Sequence, residues 1–214
     1  MAEIWDRAEV KKSSMLSLPT LFAPAILQVK LIMDHPEAVI NVGEQYQKQT
    51  LRNRTYFLTP QGATPFTIPV ERFAYPSPPT SEICLAEHDH WRHRLEEALR
   101  SSYCSTPYWQ FYEDQVISLC QCEVGGRLID FNQHWLTFIL GDWRIPTPTI
   151  ISEGTRDEDH RSDIALPSRL REGRMDLPRY WQVFEDQSGF VPNLSALDLL
   201  FHLGLEGRLY LNRL

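Results

Sequence analysis

The sequence predicts an α+β fold, in which a small β-sheet with a hairpin packs against a helical segment within a single compact domain. Three observations predict it. Short apolar segments separated by turn residues fill the first third of the chain, a proline-rich run follows at 75–79, and apolar residues at helical spacing dominate the rest. With 214 residues the chain is long enough to bury one core, and we expect one domain over 1–214.

The first third should hold one helix and three strands. Residues 1–20 show only weak periodicity, so they are expected to be a lead-in segment. Pro24 suits the first turn of a helix that ends near Asp34, because its fixed φ and missing N–H cost little there. Strands are predicted for 38–40, 53–58 and 66–70, the last two joined as a hairpin by a turn at 60–63.

The middle of the chain should be helical. The proline-rich run can neither continue a helix nor pair as a central strand, which predicts a rigid loop there. Asp89 is expected to cap the helix that follows it. Helices are predicted over 89–102, 106–120 and 127–140.

The last third should contain a short strand, a surface loop and a closing helix. Ile150 and Ile151 predict the strand, and residues 153–163 have the charged, glycine-containing composition of a mobile loop. The final helix should begin at Ser195 and end at Gly204. The Asp198 side chain is expected to accept a hydrogen bond from the main-chain amide at the helix start, as in a capping box.

Composition and charge restrict the function classes. The net charge of −7 argues against a nucleic-acid scaffold and an anionic-membrane binder, so an anionic partner would need a local basic pocket. The first residues lack a basic region followed by an apolar core, and no apolar run approaches the roughly 20 residues of a membrane span. We therefore expect a cytoplasmic protein. The four cysteines form no Cys-x-x-Cys motif, so reduced thiols are expected, and no metal or cofactor is predicted.

A polar run between two predicted strands is the strongest candidate for a binding site. Residues two apart on a strand share a face, so Arg52 and Arg54 can converge on one phosphate or carboxylate, and Lys48 can reach it across the turn. The alternative is a set of solvated hairpin charges, and the absence of a glycine-rich phosphate loop weakens a nucleotide assignment. The predicted ligand-binding residues here are Tyr46, Gln47, Gln49, Arg52, Asn53 and Arg54, and Lys48 is a catalytic candidate.

Four further candidates lie outside this run. His90 suits proton transfer near neutral pH, and its neighbour Trp91 can stack on a sugar or base ring. Asp114 can act as a base, and Asn193 can contact a ligand. Plainer explanations are also open: an N-terminal helix turn with scattered histidines for His90 and its neighbour, a solvated helix end or turn for Asp114, and the satisfaction of a helix start for Asn193.

Four blocks that occur in order along the chain carry a family resemblance: Tyr46-Gln47-Lys48-Gln49-Thr50 with Arg52-Asn53-Arg54, His90-Trp91-Arg92, Ser105-Thr106-Pro107-Tyr108-Trp109 with Tyr112-Glu113-Asp114, and Gln182-Val183-Phe184 with 190–201. Together they resemble the WbqC-like protein family from about residue 21 to 204. The family takes its name from a protein of bacterial surface-polysaccharide gene clusters. The resemblance therefore implies a role in O-antigen type glycan synthesis, with transfer of an amino-acid or acyl group to a nucleotide-activated sugar as the expected chemistry.

Two hypotheses stay open at this point. In an enzyme, Arg52 and Arg54 would hold an anionic group, such as that of a nucleotide sugar, while Lys48 positions charge and His90 transfers protons. Replacing Arg52 by Ala is then expected to abolish ligand binding without unfolding the domain. In a binding or scaffolding protein, the same surface would recognise an anionic metabolite or a partner protein without chemistry. The absence of a recognisable nucleophile, metal site or cofactor motif favours the second hypothesis.

Overall fold

A parallel sheet of three short strands organises the first part of the fold. The computed structural model describes residues 16–122, 125–152 and 177–214. The sheet has the order β1-β2-β5, and helix α1 connects its first two strands. The bounds are β1 Ser17–Pro19, α1 Ile26–Asp34, β2 Val39–Asn41 and β5 Thr149–Ile151. All strands run in the same direction, so the loops after β1 and β2 leave from the same edge of the sheet.

The predicted helix, the strand near residue 39 and the strand near residue 150 are confirmed within two residues, but β1 was missed. Residues 16–20 were expected to belong to a lead-in, because three residues carry no readable alternation. They form a strand because β2 supplies the pairing: the Val39 amide donates to the Leu16 carbonyl at 2.9 Å, and Leu18 is buried beside Ile40. Residues 1–15 of the predicted lead-in lie outside the described residues.

A tight antiparallel hairpin follows, with β3 over Arg54–Thr59 and β4 over Gly62–Thr67. Gly62 has a φ of +93°, which side chains rarely tolerate, so glycine is needed where the turn meets β4. The hairpin is confirmed, but the prediction that its second strand spans 66–70 is wrong. The strand begins four residues earlier, because Thr64 and Pro65 are exposed at the sheet edge, where proline is tolerated.

Three longer helices form the middle of the fold, and the loop before them has no regular structure over 73–79, as predicted. The helices are α2 Trp91–Tyr103, α3 Trp109–Cys120 and α4 Leu128–Asp142. Asp89 is not the cap of α2, contrary to the prediction. The cap position is His90, which lies in the left-handed region at φ +48° and makes no side-chain capping bond.

The C-terminal part contains α5 (Glu185–Ser188), α6 (Ala196–Leu203) and α7 (Gly207–Leu211). Ser195 caps α6 as predicted, because its hydroxyl oxygen accepts a hydrogen bond from the Leu197 amide at 3.2 Å. Gly204 ends the helix at φ +55°. The loop predicted for 153–163 lies outside the described residues.

An aromatic core holds these layers together. Phe22, from the loop after β1, contacts Phe66 of the hairpin and Phe131 and Trp135 of α4. Tyr103 of α2 contacts Phe57 of β3 and Phe201 of α6. One core therefore joins the sheet loop, the hairpin and the helices, which confirms the predicted α+β class and single compact domain. Among the described residues, no helix is long and apolar enough to cross a membrane.

Candidate functional site

The polar run predicted as a site lies in the loop between β2 and β3, at the carboxyl edge of the parallel sheet. Ligands of open parallel sheets bind outside this edge, so the location agrees with a binding role. The loop is tied down at several points. The Val42 amide donates to the Ile151 carbonyl at 2.9 Å, and the Tyr46 amide donates to the Pro78 carbonyl at 2.9 Å. Its side chains then divide into a buried group and an exposed group.

Arg52 belongs to the buried group and is only 3% exposed. Its guanidinium pairs with the Glu44 carboxylate through Nη2 and, at 3.0 Å, through Nε, while Nη1 donates to the Thr50 hydroxyl at 3.2 Å. The main-chain carbonyl of Arg52 accepts a further bond from the Asn132 amide at 2.8 Å. Arg52 is thus occupied by an internal carboxylate, and it precedes β3 rather than sharing a strand face with Arg54.

Two further predicted ligand residues are also buried. Tyr46 is 2% exposed and packs edge-on against Phe73, and burial raises the pKa of the Tyr46 phenol to about 12. Asn53 is 6% exposed and donates from its side-chain amide to the Ile68 carbonyl at 2.8 Å. Both side chains attach the loop to residues 68–79. The structure therefore gives them a structural role and buries them away from solvent.

Gln47, Lys48 and Gln49 form the exposed tip of the loop. The Lys48 ammonium lies 4.5 Å from the centre of the Phe73 ring, a cation–π contact that holds it over the loop 73–79. Gln49 adopts φ +59°. No hydrogen bond or ion pair within the described part of the chain joins any of the three side chains to Arg52 or Arg54.

Arg54 has a different environment, although it is only two residues from Arg52. It is partly exposed, and its Nε donates to the Thr67 hydroxyl across the hairpin at 2.9 Å. Its two terminal nitrogens make no hydrogen bond with the residues that the structure describes. Arg54 lines a narrow recess, with room for about one water molecule, together with Leu21, Phe22, Ala23, Pro24, Ala25, Leu51, Thr55, Tyr56, Asn193 and Ser195.

Asn193 reaches this recess from the C-terminal part of the chain. It is 1% exposed, has φ +52°, and its side-chain oxygen accepts a hydrogen bond from the Leu27 amide at 2.9 Å. The Ile26 amide donates to the Leu194 carbonyl at 3.1 Å. Because the chain itself satisfies these two amides, the first turn of α1 is closed to an incoming anion. The structure thus brings two predicted ligand residues, Arg54 and Asn193, to one recess, with Arg54 supplying the unpaired donors.

The three remaining candidates are placed elsewhere. His90 is exposed, and no hydrogen bond of its side chain is found among the described residues. Trp91 is 2% exposed and packs edge-on against Phe131 with ring centres 5.3 Å apart, so it belongs to the core. Asp114 is exposed on α3. No hydrogen bond or ion pair in the described ranges joins His90 or Asp114 to the recess.

A buried polar cluster was missed in the sequence. Asp198 of α6 is fully buried, and its carboxylate accepts hydrogen bonds from the Tyr180 hydroxyl at 2.5 Å and the Gln182 amide at 3.0 Å. His202 accepts the Val183 amide at Nε2 and bonds the Asp198 carbonyl at Nδ1, which fixes its tautomer. Burial raises the pKa of Asp198, and the neighbouring His202 and these hydrogen bonds oppose that shift.

This cluster corrects the capping-box prediction for Asp198. The carboxylate binds Tyr180 and Gln182, so the residue attaches the segment before α5 to α6. Burial, and then the Asp198 charge, raise the pKa of the Tyr180 phenol well above its usual value. A single acid inside the apolar run 194–201 was the signal in the sequence, since such a residue is rarely buried without partners.

Fold and site together define a class: an α+β protein with a loop-built polar site at the carboxyl edge of a short parallel sheet. A family profile described as the WbqC-like protein family matches residues 21–173, which is more than half of the chain. The chain therefore belongs to the WbqC-like protein family. The match includes the β2–β3 loop and Arg54, whereas Asn193 and the Asp198 cluster lie beyond it. Searches of curated proteins and of solved structures find no match.

Metal binding finds no support in the described ranges, where no group of three or more His, Cys, Asp or Glu side chains is placed to hold an ion. All four cysteines are free, and Cys120 is buried. Burial raises the pKa of the Cys120 thiol to about 12, which disfavours the thiolate needed for metal binding or nucleophilic attack.

Proposed function

We propose that this protein binds an anionic small molecule through Arg54 and that it serves bacterial surface-polysaccharide biosynthesis. The observation that carries the binding proposal is the state of Arg54. Its Nε is fixed by Thr67, while its terminal nitrogens find no partner among the described residues and border a recess. An oriented guanidinium with unused donors is suited to a carboxylate or phosphate oxygen.

The shape of the recess limits what enters it. With room for about one water molecule, it admits the end of an anionic group, and the body of the ligand would lie across the opening. The lining is mainly apolar, including Leu21, Leu51 and Pro24. These features support a ligand held by one terminal carboxylate, or by a non-bridging phosphate oxygen of a nucleotide sugar.

The same lining favours binding over acid–base chemistry at this place. It contains no histidine and no carboxylate among the described residues. His90, the proposed proton-transfer group, is exposed at the start of α2 without a bond to the recess. Group transfer to a sugar, which the family resemblance implies, would therefore need groups outside this recess. The polysaccharide role itself is supported by family membership.

A thermal-shift screen tests the binding proposal. Purified protein is titrated with nucleotide sugars, acyl and aminoacyl donors, nucleotides and simple anions, alongside Arg54→Ala and the matched control Arg94→Ala. Arg94 is an exposed arginine of α2 whose side chain has no hydrogen bond or ion pair in the described structure. A ligand at 100 times its Kd stabilises the folded state by about 2.7 kcal/mol, which a melting curve detects readily.

We expect at least one anion to raise the melting temperature of the wild type and of Arg94→Ala, but not of Arg54→Ala. Loss of the Arg54 fork should weaken a charge-assisted contact by about 1.5 to 3 kcal/mol, or roughly 10-fold to 150-fold in Kd. Equal shifts for all three proteins, or no shift with any anion, would refute binding at Arg54. A nucleotide-sugar response confined to proteins with Arg54 would support the polysaccharide role.

A further inference from the structure

A second and broader recess lies between the end of α4 and the C-terminal helical turns. It is open to solvent, has a volume of about 490 Å³, and is lined by Gly141, Asp142, Trp143, Arg144, Leu205 and Arg208. None of these residues lines the Arg54 recess. Two arginines border one concave surface on a chain whose net charge is −7, so the positive charge here is a local feature.

Close packing at two glycines builds this recess. A Cβ at Gly207 would lie 2.7 Å from the Trp143 ring, and one at Gly204 would lie 2.7 Å from the Tyr108 ring. The Trp143 indole N–H also donates to the Gly204 carbonyl at 2.9 Å. Residues without side chains therefore let the C-terminal turns pack directly on the end of α4, and this packing brings Arg208 beside Arg144.

Arg208 is held in place by the main chain at the end of α4. Its Nη1 donates to the Trp143 carbonyl and, at 3.4 Å, to the Arg144 carbonyl. In the described part of the chain, Nε and Nη2 make no hydrogen bond. These two nitrogens form the edge of a guanidinium that binds a carboxylate or phosphate through two parallel bonds. Arg208 is thus fixed on one edge and leaves its bidentate edge unused.

Arg144 supplies a second cation whose side chain has no hydrogen-bond or ion-pair partner among the described residues. It is exposed, and its φ is +51°. This left-handed conformation closes α4, because the Arg144 amide donates to the Gly141 carbonyl and the Ile145 amide to the Leu140 carbonyl, each at 3.0 Å. The one acid of the lining, Asp142, forms no ion pair with either arginine among the described residues.

We propose that Arg144 and Arg208 form a binding site for a compact multivalent anion of the phosphate class. Two guanidinium groups match a ligand with at least two negative charges, whereas a monovalent carboxylate would use only one of them. The net charge of −7 disfavours a long polyanion as the ligand. The site is independent of Arg54 and does not rest on the function proposed for that residue.

The test uses inorganic pyrophosphate as the probe and backbone amide NMR shifts of the full chain as the readout. We expect saturable shifts at Gly141, Gly204 and Gly207, which report the recess. Arg144→Ala should weaken pyrophosphate binding about tenfold, and Arg144→Glu should abolish it. The Arg144 side chain is exposed and has no hydrogen bond or ion pair with the described residues, so these variants should fold. Acetate should bind much more weakly than pyrophosphate.

Arg94→Ala is the matched control, since it removes one arginine charge elsewhere and should retain the wild-type affinity for pyrophosphate. Arg54→Ala separates the two recesses, because it should leave the shifts at the three glycines unchanged. Equal weakening by Arg94→Ala would show a general charge effect and overturn the site. Loss of the shifts in Arg54→Ala would assign the probe to the other recess, with the same consequence. The absence of saturable shifts at the three glycines would also overturn it.

Discussion

Arg52 and Arg54 are two residues apart in the sequence but lie in opposite environments. Arg52 is buried, and each of its side-chain nitrogens bonds to Glu44 or Thr50. Arg54 is partly exposed, with one nitrogen bonded to Thr67 and two without a described partner. The comparison teaches that neighbouring cationic residues in a sequence can have different roles. An arginine that pairs with a nearby buried acid is structural, whereas one without such an acid among the described residues can bind a ligand.

The first prediction concerns the buried member of this pair and has the largest expected effect. Arg52→Ala leaves the Glu44 carboxylate buried without its main partner, which should lower the free energy of unfolding by about 3 to 5 kcal/mol. Arg54→Ala should lower it by less than about 1 kcal/mol, because that side chain is partly exposed. Urea denaturation of both variants measures the difference.

This result would replace the expectation that Arg52→Ala spares the fold. Equal stability of the two variants would break the comparison and return Arg52 to the list of ligand-binding candidates. A matched variant, Glu44→Gln, keeps an acceptor for Arg52 but leaves the guanidinium charge uncompensated. It should be destabilised as well, since an unpaired buried charge is costly whichever partner is removed.

The sequence predicts the position of the polar loop but not the roles of its two arginines. The prediction that Arg52 and Arg54 share a face assumed a strand over both, and β3 begins only at Arg54. The partner of Arg52 is Glu44, which belongs to the same loop. No local sequence pattern distinguishes Glu44 from the other acidic residues of the chain as this partner. Period-two spacing describes regular strands and says nothing about which side chain a loop turns inward.

The fold is easier to predict from the sequence than the site, because sequence patterns report regular local structure and not the contacts of loops. Helices such as α2 and α4 repeat their apolar positions over three or four turns, so many residues report the same element. A three-residue strand such as β1 has no repeat and depends on pairing with β2. The contact between Asn193 and α1 joins residues 166 positions apart, and no local pattern encodes it.

The second prediction extends the comparison to Asp198, which is buried like Arg52. Its carboxylate accepts hydrogen bonds from the neutral side chains of Tyr180 and Gln182, whereas Arg52 pairs with a charged partner. Asp198→Ala leaves the Tyr180 hydroxyl and the Gln182 amide without their acceptor and should cost about 1 to 3 kcal/mol. Asp198→Asn keeps an acceptor oxygen and should cost less. Because burial raises the pKa of Asp198 above its ordinary value of 3.8, folding favours the protonated form of the carboxyl group. The stabilisation of the folded state by protonation of Asp198 is fully present below pH 3.8. It is lost as the pH rises through the pKa of Asp198 in the folded protein.

The stability of Asp198→Asn relative to the wild type should therefore improve as the pH rises above about 4, since the amide never ionises. Chemical denaturation at several pH values between 4 and 7 measures this trend. A relative stability that falls over this range would mean that the carboxylate is better stabilised than its burial suggests. Asp198 would then resemble Arg52, as a charge with full compensation.

The third prediction tests the link between the recess and α1. Asn193→Gly keeps the left-handed backbone accessible but removes the acceptor for the Leu27 amide, and it should cost a few tenths to about 1 kcal/mol. Asn193→Ala adds backbone strain at φ +52° to the same loss and should be the less stable variant by about 1 kcal/mol. Thermal denaturation of the two variants compares these contributions. Identical melting temperatures would contradict the strained backbone.

The smallest effect is expected at His90, an exposed residue that extends the comparison between buried and exposed polar side chains. The side chain is solvated and has no hydrogen bond in the described structure, so His90→Ala should change the free energy of unfolding by no more than about 0.5 kcal/mol. Anion binding at Arg54 should also stay unchanged, because no contact joins the two residues in the described ranges. Calorimetric titration with the anion identified in the screen measures the second quantity. A large loss of affinity in His90→Ala would show that the ligand spans from Arg54 to the start of α2, and the catalytic hypothesis for His90 would then regain its support.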